Sequence, residues 1–188
     1  GAYNLADRYK DILVIAGKDK NNKPETRSVV LKPEPNVVSG VTLEKLEAIT
    51  SLLILKNQVL VVGDNSQGRQ LLSLSLDKHA NLLNSDQIEN LSKDKRGTGI
   101  SHLTWDGKQL YVSNGWSGIE TLKPKRDGWE KQFLYAIPRM GASGMASWGN
   151  SAILVSGELV KYDLTDPEKP SINARAKLST PVKSMVGA

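Results

Sequence analysis

The chain has no cysteine among its 188 residues, only two histidines and a single phenylalanine. The first absence removes disulfides, thiolate metal sites and cysteine nucleophiles together. The two histidines, His79 and His102, stand far apart with no thiolate to join them, so neither a metal nor a cofactor is expected. No apolar run approaches the ~18 residues needed to span a bilayer as a helix. The opening Gly1-Ala2-Tyr3-Asn4-Leu5 lacks the basic-then-apolar layout of a secretory leader, and its start on glycine reads as a piece of a larger protein. Aromatics amount to 5%, too few to interleave with basic residues as a nucleic-acid surface requires. The net charge of +5 is scattered over segments 18–23, 93–96 and 123–126, each with acids in or beside it. These read as solvated loops, and no nucleic-acid partner is expected. Catalytic signatures are scarce too. There is no Gly-x-Ser-x-Gly elbow, and Arg96-Gly97-Thr98-Gly99 lacks the Gly-Lys-Ser/Thr ending of a phosphate loop.

What the chain does have is one phrase written four times, a short run of large apolar residues ending at a glycine or polar turn. It reads Ile12-Leu13-Val14-Ile15-Ala16-Gly17, then Val59-Leu60-Val61-Val62-Gly63-Asp64. It returns as Leu110-Tyr111-Val112-Ser113-Asn114-Gly115 and as Ile153-Leu154-Val155-Ser156-Gly157. A period of roughly 40–50 residues built on β-rich runs marks propeller blades. The expected fold is therefore all-β, a β-propeller of four four-stranded antiparallel blades in one domain over 1–188.

The blades are expected at 10–48, 49–98, 99–142 and 143–180. The third is the easiest to parse: strands at 99–105, 109–114, 119–124 and 129–137 are joined by Asp106-Gly107, a glycine-rich turn and Asp127-Gly128. In the second, strands fall at 49–55, 59–63 and 69–76, and 80–95 is open between outer strand, loop and short helix. A helical alternative over 41–55, with Leu43, Leu46, Ile49 and Leu53 on one face, gives way to strands because the repeat needs them there. The first blade shows no inner strand before 10–17, whereas 181–186 resembles an inner strand with nothing after it. One reading is that the C-terminal strand completes the first blade at 12–15 and closes the ring, which would pair both sheet edges; the others are two chains forming an eight-bladed ring, or four blades of a longer parent protein.

The fourth unit carries the recognisable residues. Ile153-Leu154-Val155-Ser156-Gly157-Glu158-Leu159-Val160-Lys161-Tyr162-Asp163-Leu164-Thr165-Asp166-Pro167-Glu168-Lys169-Pro170 resembles the LVIVD repeat of bacterial β-propellers: apolar strand, glycine, apolar strand, then Asp-x-Ser/Thr-Asp-Pro-x-x-Pro. The third unit keeps only the strand–glycine–strand part. The resemblance implies a secreted or surface-attached bacterial protein, hence an extracellular, cell-surface or periplasmic location. Asp163 and Asp166 are read as turn-formers and not calcium ligands, because a calcium site needs six or more oxygens. Since no catalytic set stands out, the expected role is a non-catalytic scaffold or protein-interaction module, with a protein partner or self-association. The alternatives are a carbohydrate-binding module, or a propeller hydrolase or lyase at the axial channel mouth using His102 and nearby carboxylates. The candidate binding residues are Trp116, in a turn where packing does not require an indole, its neighbour Asn114, and His102 on the inner strand.

Overall fold

Sixteen strands, each paired antiparallel with its sequence neighbours, account for all the regular structure among the described residues. The computed structural model describes residues 1–91, 101–114, 118–135, 137, 144–155, 157–166 and 168–179, with backbone alone at 84–88. The chain divides into two compact units, Gly1–Asn90 and Leu91–Ala188.

In the first unit, β1 (Ala2–Tyr9), β2 (Ile12–Lys18), β3 (Pro24–Val30) and β4 (Asn36–Thr42) form one blade in simple order. The second blade is β5 (Ala48–Leu55), β6 (Gln58–Asn65), β7 (Gly68–Leu76) and β8 (Leu82–Asn90). Two expectations are corrected here. The first blade owns its inner strand: β1 pairs along β2 from Ala2 with Lys18 to Tyr9 with Ile12. Because β3 holds the other edge of β2, residues 12–15 have no edge left for the C-terminal strand. Residues 181–188 themselves lie outside the described residues, and closure of a ring is not shown. The open stretch 80–95 contains a strand, β8. The helical alternative at 41–55 is not adopted, since Ala48–Leu55 is β5.

The glycine that ends the repeated phrase has a structural cause. In both blades the inner strand bulges opposite it, between Tyr3 and Leu5 and between Ile49 and Ser51. The bulge presses the inner-strand backbone onto the end of the second strand. A Cβ on Gly63 would lie 2.5 Å from the Ala48 carbonyl oxygen, and one on Gly17 would overlap the Ala2 carbonyl. Only glycine fits.

Strand alternation then decides what each sheet face buries. Val59, Val61, Leu72 and Leu74 of the second blade join Val14, Leu43 and Leu46 in one core cluster. Val59, Val61 and Leu74 are wholly buried, and each contributes roughly 1.5–3 kcal/mol by leaving water. Polar ties accompany this packing. The Ile54 N–H donates to Asp7 Oδ2 at 2.6 Å, and Ser28 Oγ donates to the Ala80 carbonyl at 2.5 Å.

The second unit repeats the plan. Its first blade is β9 (Ser101–Trp105), β10 (Leu110–Asn114), β11 (Ile119–Lys125) and β12 (Gly128–Tyr135). Its second is β13 (Gly144–Trp148), β14 (Ser151–Val155), β15 (Glu158–Asp163) and β16 (Ser171–Lys177). Tyr111, Ile119 and Tyr135 pack against Met145, Ala152 and Leu154 between them. Buried Tyr111 donates its hydroxyl to the Gly149 carbonyl, with Asp106 Oδ2 at 3.2 Å. Burial, with the Asp106 charge behind it, pushes its phenol well above the usual value. Tyr111→Phe leaves the Gly149 carbonyl without that donor and is expected to cost about 1–2 kcal/mol. The measurement is a shift of the denaturation midpoint at unchanged slope.

Aspartates set the turns. Asp106 Oδ1 accepts from the N–H groups of Lys108 and Gln109, and Asp77 Oδ1 from those of His79 and Asn81. Asp163 accepts from Thr165 and Asp166 from Glu168, as turn-formers should. These bonds favour the charged carboxylate, so the pKa values of Asp77 and Asp163 lie below the ordinary value, the leading cause being Asn81 and Thr165 respectively. A depressed folded value gives stability that is present above the unfolded pKa, about 3.9, and lost as pH falls through the folded one. Thermal melting should therefore drop below about pH 4, and less steeply in Asp77→Asn than in the parent chain.

Candidate functional site

The third strand of every blade has a charged residue at its first or second position: Glu25, Arg69, Glu120 and Glu158. Each lies at the same end of its own sheet, where the inner strand begins and the second strand finishes. The first three are buried, and every one has an opposite charge against it.

Glu25 sits opposite Gly17 in the ladder, and its Oε2 accepts from both the Tyr3 hydroxyl and Arg27 Nε, the latter at 3.0 Å. The Arg27 guanidinium lies over the Tyr3 ring at 5.5 Å. Burial, then the hydrogen bond to Glu25, raises the Tyr3 phenol, while the same carboxylate raises the Arg27 value. Arg69 pairs directly across from Asp64 and binds it through two bonds, Nε to Oδ1 at 2.8 Å and Nη2 to Oδ2 at 3.0 Å. Asn65 extends this end of the blade, donating to the Lys45 carbonyl and to Gln70, which donates in turn to Asn90. Glu120 is 2% exposed and meets Lys131 Nζ at 2.8 Å. Glu158, half-buried, meets Arg175 Nη1 at 2.7 Å.

His102 lies on β9, half-buried, directly across from Ser113. By alternation it shares a face with Thr104, whose hydroxyl meets Ser147 of the next blade. An inner-strand side chain here is thus directed along the sheet normal toward a neighbouring blade. Glu120 stands across from Val112, on the opposite face, so this histidine and this carboxylate are not brought together. Asn114 pairs with Ser101, is fully buried, and its N–H donates to the Gly118 carbonyl at 2.8 Å. Trp116 lies outside the described residues. The exposed indole is a different one: Trp148 is 46% exposed with the Lys161 ammonium 5.8 Å from its ring, whereas Trp129 is buried edge-on to Trp105.

The charged openings of the third strands escape a reading of the sequence because a lone charge in a strand is usually solvated. One signal was available: Asp64 and Arg69 flank the tight turn Asn65–Gly68, so a hairpin there must place them side by side. Chemically, this end of the blades offers fixed carboxylates, guanidinium groups and an imidazole. Among the described residues no group of three or more His, Asp or Glu is placed to hold a metal ion. No helix among them is long and apolar enough to cross a membrane.

No known protein-family profile matches the sequence, and no curated protein does. Solved structures do. The chain superposes on the periplasmic gluconolactonase of Pseudomonas aeruginosa with a TM-score of 0.66 at 14% identity, covering 90% of this chain and 55% of that one. A protein provisionally described as a 6-phosphogluconolactonase, from Bacteroides uniformis, gives 0.63 at 14% identity, with 90% and 55% covered. A similarly described protein from Bacteroides fragilis gives 0.63 at 11% identity, with 94% and 57% covered. The chain thus spans little more than half the length of these proteins. The comparison also corrects one expectation: the structures that share the fold are named as lactonases, which tells against the non-catalytic scaffold reading. The likeness extends over nine-tenths of the chain and shows its fold, an all-β array of propeller-type blades.

Proposed function

We propose that this chain is the propeller, or part of the propeller, of a lactone hydrolase acting on a sugar-derived lactone outside the cytoplasm. The observation that carries the reading is the likeness of nine-tenths of the chain to three structures all named as lactonases. His102, half-buried on the inner strand β9, supports it, because ester opening needs a base for water and a donor for the departing oxygen, and one imidazole can serve as each in turn. A periplasmic location follows the Pseudomonas protein's description and the secreted character that the LVIVD resemblance of the fourth blade implies. Fold alone does not fix chemistry, so the substrate must be assayed.

The test is proton release in weak buffer on adding glucono-δ-lactone or its 6-phosphate, measured against spontaneous opening. Acceleration of either lactone supports the proposal, and the preferred one tells whether a phosphate is read. A chain that is folded by circular dichroism yet accelerates neither overturns it.

A further inference from the structure

Ser113 is 1% exposed, and its Oγ meets no hydrogen-bond partner among the described residues. A buried hydroxyl left unpaired is rare and costly, because it gives up its water for nothing. Packing does not ask for one here. The second strands of the other blades carry only apolar side chains at 13–16, 59–62 and 152–155, and β10 alone breaks such a run, with Ser113.

Register decides what lies beside this hydroxyl. Ser113 stands directly across from His102, so the two side chains project from one face of the sheet, with Cβ atoms about 4.5–5.5 Å apart. The same face packs on the next blade of the unit: Tyr111 joins Met145 and Leu154, and Thr104 meets Ser147. His102 stays half-buried while Ser113 is sealed, so of the two the imidazole is the one a ligand can reach. Among the described residues, the titratable groups sharing that face are Tyr111 with Asp106 behind it, Tyr135 and, from β15 and β16, Tyr162, Glu158, Arg175 and Lys177. Burial raises the three phenols, which stay protonated, and Glu158 is bound to Arg175 at 2.7 Å. Glu120 is on the opposite face.

We propose that Ser113 is a positioning residue for His102: its hydroxyl oxygen accepts a hydrogen bond from the imidazolium and holds the ring while it carries a proton. The purpose of that bond rests on the lactonase reading; its geometry does not. When the imidazole takes a proton from the attacking water, both ring nitrogens carry hydrogen until one proton passes to the departing ring oxygen. One N–H then faces the substrate, and the other needs an acceptor. The Ser113 hydroxyl supplies it by turning, and a bond to the charged ring is stronger than one to the neutral ring. A hydroxyl kept for the charged state is one that the uncharged protein can leave without a partner.

The chain has only two histidines, so titration of the imidazole signals by NMR reads His102 directly once His79→Gln removes the other. Ser113→Ala should move the His102 midpoint down by about one pH unit, because the charged ring loses its acceptor. Ser113→Thr keeps a hydroxyl and should restore the parent midpoint. Thr26→Val, which deletes an unpartnered buried hydroxyl of the first unit, should leave it in place. In the parent chain below that midpoint, an imidazole N–H proton of His102 should show a nuclear Overhauser contact to the Ser113 Hβ protons, a result that needs no variant to fold. On any lactone the chain opens, the acid limb of the kcat profile should move with the midpoint. A midpoint that Ser113→Ala leaves unchanged in a folded chain overturns the proposal, as does one that Ser113→Thr does not restore, or the lack of the Overhauser contact. A shifted midpoint in a chain that opens neither lactone upholds the bond between Ser113 and His102 and overturns the lactonase reading alone.

Discussion

Replacing Asp64 with alanine should destabilise the second blade by about 3–5 kcal/mol, far more than a surface ion pair allows. The Arg69 side chain is 3% exposed and is gripped by both carboxylate oxygens across the β6–β7 ladder. Deleting the carboxylate removes both of these bonds from a guanidinium with little access to water, and the arginine, which can hardly lose its proton, has no neutral form to adopt. Arg69→Met should cost less, because Asp64 is 20% exposed and can turn to solvent. The double substitution Asp64→Leu with Arg69→Met should recover most of the loss, since two apolar side chains of similar size remove the buried charge altogether. Urea midpoints of the parent, Asp64→Leu, Arg69→Met and the double variant form a double-mutant cycle, and a coupling under about 0.5 kcal/mol would show the two side chains to be energetically independent.

The parts of the fold that were legible are those where one physical demand dominates. The runs at β6 and β10 are buried on both faces, and those at β2 and β14 are buried on one face and at least half-buried on the other, so they read as continuous apolar stretches and set the period. Turns were legible where a side chain makes the turn, as with Asp106-Gly107 and Asp163-Leu164-Thr165. The inner strand β1 was not, and the reason is visible in its residues. Its half-buried positions include Asp7, kept there to accept the Ile54 N–H. An acid on the inward face breaks the alternation that would have announced a strand. β8 was left open, because the polar run Asn84-Ser85-Asp86-Gln87 interrupts the apolar alternation of the sequence. The charged end of the blades was hidden by register. Glu120 and Lys131 are eleven positions apart, and they meet diagonally because Lys131 lies across from Leu122, on the same face as Glu120. Such a diagonal pair shows only once the register of the hairpin is known. Function was hidden more deeply: the repeated runs point to propeller blades and to no reaction, and the proposed lactonase reading rests on likeness to other solved structures.

On the proposed lactonase reading, His102→Gln should lower kcat by about 10²–10⁴-fold while leaving the fold intact. Opening a lactone requires water to attack the carbonyl carbon, a base to take the water's proton, and an acid to protonate the ring oxygen as the C–O bond breaks. One imidazole can do both in turn, receiving the proton in the first step and returning it in the second, so that no net proton is stored. A lone carboxylate already committed to a cation is poorly suited to this exchange, as Glu120 is to Lys131 and Glu25 to Arg27. His102 stands on an inner strand, half-buried and across from Ser113, with Glu120 on the opposite face of the same sheet. Glutamine keeps the side chain's approximate reach and one donor but cannot carry the proton. The control is Glu120→Gln, on the other face of the same sheet, which should lower stability and leave kcat within a few-fold. If His102→Gln retains full kcat, the base lies elsewhere. If it unfolds the second unit, the histidine is a packing residue, and the separation between kcat and melting temperature across the two variants tells these outcomes apart.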